Sequence, residues 1–350
     1  MKKRLFLTAV ILVFTFVSCK NNDNPVDPPS GGTQSSVVVI NEGLFSQNNS
    51  SITNYSIEDK SVENDVYSAA NDNAKLGDTA NDLVIVGNKG YISVDQSYKI
   101  EVVNINTFKS LGMIDLTNYG EPRNLCLIDS TAGYITTYND IVVHFDPKTL
   151  QVIGTVDVGS KPEGIVNLGN NLFVANSGWG AGTTVSVIDI SSFTIKKEIT
   201  VKINPQTIVE DGINVYVIST GSYTGDGYGM ISEISPSSLT VTDTLPIAKN
   251  PGKAAVASNN QLLVINGDGL VQVETGNLRI IKETLISGAA VNSLFAAIYS
   301  LTYDAKDDLI YLGNPKDFAQ NGDVAIFDFS GNEKGRFDTG INPGTIVIKN

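Results

Sequence analysis

Histidine is nearly missing from this chain: His144 is the only one in 350 residues, beside two cysteines and one tryptophan. A single histidine, placed in the strand-like segment Ile141–Asp146, leaves metal hydrolysis and Ser-His-Asp or Cys-His catalysis without the residues they need. Two cysteines build no disulfide framework, and Cys126, inside the apolar run NLCLI, is expected as a buried free thiol. Acidic residues are plentiful, but no spacing selects a carboxylate pair for glycoside chemistry. Asp304, Asp307 and Asp308 lack the glycine that a calcium loop of the EF-hand type requires. No catalytic residue, metal ligand set or cofactor is therefore assigned. Positive charge is scarce as well, with 24 basic residues against 37 acidic ones and no basic stripe, which argues against nucleic acid as a partner. The glycine-rich runs 178–182 and 221–229 open no predicted helix, so they lack the helix N-terminus of a phosphate loop.

Long apolar runs are absent apart from Leu5–Val17, whose 13 residues are too few to cross a bilayer. Preceded by Lys2, Lys3 and Arg4, that run reads as an export signal over residues 1–18. Phe16-Val17-Ser18-Cys19 resembles a bacterial lipobox, which makes Cys19 the expected lipidation site. Residues 20–36 hold almost nothing apolar and include Pro28, Pro29, Gly31 and Gly32, as expected of a tether. At about 5–6 Å × √n, it reaches roughly 20–25 Å. Loss of the signal leaves 21 basic against 37 acidic residues, a net charge of −16. No linker interrupts residues 37–350, which read as one domain.

What the chain has in quantity is a repeated β pattern. One strand signature occurs seven times, as in Val37–Asn41, Tyr91–Asp95, Phe173–Asn176 and Ile310–Asn314. A second follows each, as in KIEVVNI, TVSVIDI and DVAIFDF, and leads into turns rich in Asp, Asn and Ser. A further strand opens on a proline in EPRNL, KPEGI, NPQTI, NPGKA and NPGTI. Its prolines, Pro122, Pro162, Pro205, Pro251 and Pro343, are 40, 43, 46 and 92 residues apart. Four strands per unit and a period of about 45 residues predict an all-β, seven-bladed β-propeller. The first unit lacks its opening strand, while Pro343–Lys349 is left over at the other end. The C-terminal strand is thus expected to complete the first blade and close the ring.

In such a blade, the loops after the second strand share a face with the linkers between blades. Those loops carry Phe45, Tyr98, Tyr138, Trp179, Tyr223, Tyr228 and Phe318. Trp179, Tyr138, Tyr223 and Tyr228 are expected to line a ligand basin, with Asn176, Asn81 and Arg123 as polar contacts, since aromatics among glycines and amides bind at low entropic cost. The stretch KLGDTANDLVI (Lys75–Ile85), with EPRNL, VGSKPEGI and LFVANSG, resembles the YncE-like propellers found as lipoproteins in Bacteroidetes. Within them the sequence is similar to the cobalamin-binding surface lipoproteins that partner a TonB-dependent vitamin B12 transporter. The resemblance implies a monomeric, lipid-anchored domain at the outer membrane, facing outward. It implies a corrinoid as ligand rather than cofactor, handed to that transporter. Two rivals stand beside this reading: a scaffold that docks an envelope protein or glycan, and a propeller lyase or lactonase. The enzyme should show a clustered acid/base set or metal, the scaffold a flat patch, and the corrinoid binder a broad basin lined by rings and amides.

Overall fold

A computed structural model describes residues 35–225, 228–258 and 260–350. The expected signal segment, Cys19 and most of the tether lie outside them. Seven four-stranded antiparallel sheets account for the rest, and the chain is a seven-bladed β-propeller. The innermost strands are Ala80–Val86, Pro122–Leu127, Pro162–Leu168, Pro205–Glu210, Ala254–Ala257, Ser300–Asp304 and Pro343–Lys349. Each packs against the next, in a closed circle around a central channel.

Ring closure follows the expected course. Pro343–Lys349 pairs antiparallel with Ser36–Asn41, with Val37 opposite Ile348 and Val39 opposite Ile346. That strand is therefore the innermost of blade 1, and blades 2 to 7 follow in chain order. Closing the ring covers the apolar faces that the end blades of an open array would expose, while each blade keeps its own short edges.

Burial explains the sequence pattern. The second strands are buried along nearly their whole length, and at every position in Ser36–Asn41 and Asn171–Asn176, because neighbouring blades cover both faces. Outermost strands such as Gln151–Asp157 alternate between exposed and half-buried residues. The apolar core consists of seven layers, one between each pair of adjacent blades. Tyr91 and Val102 of blade 2 meet Ile135 and Phe145 of blade 3 in one layer, and Val39 of blade 1 meets Val324 and Phe337 of blade 7 in another.

Blade 1 departs from the repeat. Its outermost strand is only Val62–Glu63, and the short helix Val66–Ala70 follows it. A second short helix, Gly288–Val291, lies in the linker before blade 7. No described helix is long and apolar enough to cross a membrane.

Candidate functional site

One local irregularity builds the mouth of the channel. The register slips where the inner strand begins in blades 1 to 5, between Pro122 and Leu125, Pro162 and Ile165, or Pro205 and Thr207 for example. Proline supports such a bulge because it has no N–H to lose from the ladder, and bulges re-aim side chains. The residue after the proline leaves the ladder and turns to the channel. Arg123, Glu163 and Gln206 come to line one cavity in this way, joined by Asn81 from the equivalent position of blade 2. The cavity has a volume of about 700 Å³ and also touches Lys253 and Tyr299.

Arg123 is the centre of a charged cluster. Its Nη1 lies 2.6 Å from Asp95 and its Nε 3.0 Å from Glu163, and all three side chains are largely buried. Burial works against the guanidinium charge, but Glu163, Tyr138 and Asp95 outweigh it and hold the pKa above the usual arginine value. The Tyr138 hydroxyl donates to the other oxygen of Glu163, and Arg123 sits 4.7 Å from the Tyr138 ring centre. Burial first, then Glu163, keeps this phenol protonated far above neutrality. Trp179 meets Tyr138 edge to face with centroids 5.7 Å apart. Lys161 donates to the Tyr138 carbonyl at 2.5 Å and lies 5.1 Å from the Trp179 ring. Guanidinium, phenol, indole and ammonium thus form one stack from channel to rim, with Trp179 66% exposed at the top.

The remaining expected site residues divide. Asn81 lines the cavity and donates to the Arg123 carbonyl at 3.0 Å. The Tyr223 hydroxyl accepts from Gln206 at 2.6 Å while its ring stays exposed, and Tyr228 is exposed on the same loop. Asn176 is turned into its blade instead. It is 1% exposed, and its amide donates to Thr184 and Ser186 across the sheet. Asn41 and Asn314, at the same position in their strands, make the same kind of bond, to Thr53 and Asp323. That recurrence marks Asn176 as part of the blade repeat.

Sequence reasoning missed Tyr299, Glu42, Asp95 and Lys161. Tyr299 stands where Arg123 and Glu163 stand in their blades, but Ile298 replaces the proline that flags the position. Its hydroxyl donates to Glu42 at 2.6 Å. Lys253 reaches across from blade 6 to the Gly344 carbonyl of blade 1, at 2.5 Å. Channel solvent reaches Lys253, yet protein walls it in. That surrounding lowers its pKa, against the pull of Glu42 and Asp82. Burial raises the pKa of Asp82, against hydrogen bonds from the N–H groups of Leu125 and Leu83. Glu42, Asp95 and Glu163 thus stand among Arg123, Lys161, Lys249 and Lys253, and charges of both signs surround the mouth.

His144 lies away from this site, stacked on Tyr134 at 4.7 Å. Among the described residues no group of three His, Cys, Asp or Glu side chains is placed to hold a metal ion.

A family model described as "Domain of unknown function (DUF5074)" matches residues 35–264. No curated protein matches the sequence. Many solved structures share the fold, among them the following two. Hydrazine synthase of Kuenenia stuttgartiensis is 17% identical with a TM-score of 0.64, over 75% of this chain and 87% of that one. A functionally unknown protein from Desulfotomaculum acetoxidans DSM 771 is 12% identical with a TM-score of 0.67, over 89% of this chain and 98% of that one. At these identities the likeness is one of fold alone.

Proposed function

This chain belongs to the family defined by the domain of unknown function DUF5074, and we propose that it is a binding protein whose ligand sits over the channel mouth. One observation carries this reading. Phe45, Trp179, Tyr223, Tyr228, Phe295 and Phe318 are the exposed aromatic side chains among the described residues, and all lie on the face where the channel opens. Exposed rings gathered on one face around a cavity mark a recognition surface, whereas scattered ones need no explanation.

The ligand class we propose is a corrinoid. Such a molecule is a large flat ring fringed with amides, and it gains from aromatic edges and from fixed donors and acceptors. Trp179, Tyr138 and Tyr223 offer the former; Asn81, Arg123 and Gln206 offer the latter. The blades hold these groups in place before the ligand arrives, which lowers the entropic cost of binding. In this reading Cys19 carries the lipid that holds the domain at the outer face of the outer membrane. The ligand then passes to a TonB-dependent transporter, as the resemblance to cobalamin-binding surface lipoproteins implies.

Calorimetry with cyanocobalamin on the mature chain carrying Cys19→Ser tests the ligand. Saturable binding is expected. A central tryptophan often contributes about 2 kcal/mol or more, so Trp179→Ala should weaken binding by about thirtyfold with little change in melting temperature. Absence of heat at high micromolar ligand would remove the corrinoid and leave a docking scaffold as the better reading of the same face.

A further inference from the structure

We propose that the ligand site has a second, apolar wall on the far side of the channel, built by Phe295, Phe318 and Tyr299, and that it selects an amphipathic ring ligand bridging the mouth. The inference rests on the binding reading above and names residues that neither the sequence signature nor the fold assigns.

Blade 7 lies across the ring from blades 3 and 4, which carry the Arg123–Tyr138–Trp179 stack. On the blade 7 side Phe295 meets Phe318 with centroids 6.4 Å apart, and Phe318 meets Tyr299 edge to face at 5.8 Å. The Lys253 ammonium is 5.7 Å from the Tyr299 ring. A ladder of rings thus descends from rim to channel on each side, ending at Arg123 on one and beside Lys253 on the other. The cavity is lined by Phe295, Ala297 and Ile298 along this wall, and by Asn81, Glu163 and Gln206 opposite. The rim of this wall, from Phe295 to Ile298, is apolar above the polar ends of Tyr299 and Lys253, while the opposite wall is polar to its rim.

The loop that carries Phe295 is built to hold its shape. The buried Asn292 accepts from the N–H groups of Leu294 and Phe295 at 3.0 and 3.1 Å and donates to the Lys316 carbonyl. Arg336 donates to the carbonyls of Ala290 and Val291. Gly288 is needed where it stands, because an added Cβ would lie 2.0 Å from the Ala296 carbonyl oxygen. This fixed loop leaves Leu294 and Phe295 60–69% exposed. Water-facing apolar side chains on a rigid loop gain nothing from folding; they gain from a ligand that covers them.

A ligand that satisfies both walls has an apolar edge or face on one side and hydrogen-bonding groups on the other. The planar, neutral amphipath Nile red serves as a probe independent of the corrinoid reading. The wild-type mature chain, with Cys19→Ser, should raise Nile red emission. Phe295→Ser and Phe318→Ala should each weaken dye binding at least tenfold, at unchanged melting temperature, because both side chains are exposed. Phe45→Ala, on the same face but outside the cavity, should bind the dye as the wild type does. Displacement of the dye by cyanocobalamin, with a similar loss of cyanocobalamin affinity in the Phe295 and Phe318 variants, would tie the wall to the corrinoid. Dye binding that cyanocobalamin leaves untouched would sink the corrinoid and keep the wall. Dye or cyanocobalamin binding that is equal in wild type and both variants, or no dye binding at all, overturns the second wall.

Discussion

Two residues with similar sequence signals do different work. Asn176 and Arg123 both stand at strand ends on the channel face, yet Asn176 is consumed by the blade's own hydrogen bonds while Arg123 faces the cavity. The difference is a one-residue bulge, which places a side chain either in the ladder or outside it. His144 is a third case, at a strand position remote from the mouth. Burial lowers its pKa below the usual value of about 6.5, against a small opposing pull from Asp146. In the unfolded chain this imidazole therefore binds a proton more readily than in the folded one. Its contribution to stability is complete above pH ~6.5 and is lost as pH falls below it. From pH 7.5 to 5 the melting temperature should fall less in His144→Phe, which keeps the stack on Tyr134, than in the wild type. Equal falls would show that this ring does not titrate with folding.

At the level of the strand, Pro343–Lys349 is the element on which the ring depends. It supplies Ile346, Val347 and Ile348 to the layers on either side of blade 1 and covers the edge of Ser36–Asn41. Each such side chain contributes about 1.5–3 kcal/mol when buried, and a typical domain is stable by about 5–15 kcal/mol in total. Deleting the seven residues removes those contacts and also bares Val37 to Ile40 and the paired edge of Ser36–Asn41. Cooperative thermal unfolding should be lost. Deleting residues 20–34 should leave the melting temperature nearly unchanged, and a ring that tolerates both deletions alike would contradict the role given to this strand.

At the level of the whole molecule, the two faces of the propeller differ. The opposite face exposes isolated aliphatic residues such as Ile128 and Ile213, whereas the channel mouth gathers the exposed rings. A net charge of −16, counted without Lys2, Lys3 and Arg4, gives the domain no affinity of its own for an anionic bilayer. Cys19→Ser should accordingly move the protein from the membrane fraction to the soluble one. Persistence in the pellet after a salt wash would count against lipidation at this residue.

The sequence by itself determined the architecture. Strand signatures repeat at a fixed period, and Pro343–Lys349 lacked a partner in chain order, so blade number and ring closure were both readable before any coordinates. Part of the site was readable too, since the strand that opens on Pro122 puts Arg123 on the face of the loops that carry the aromatic residues. Only the tertiary structure decided which of these side chains meet. The contacts between Arg123 and Asp95, Tyr299 and Glu42, and Lys253 and Gly344 join blades that lie 28 to 257 residues apart in the chain. No local pattern encodes them, because the inner strands are brought together by ring closure and not by anything in their own sequence. The same holds for Asn176 and Phe295. One is a strand-end amide and the other an aromatic in a linker, and only the packed ring decides which faces the blade and which the channel.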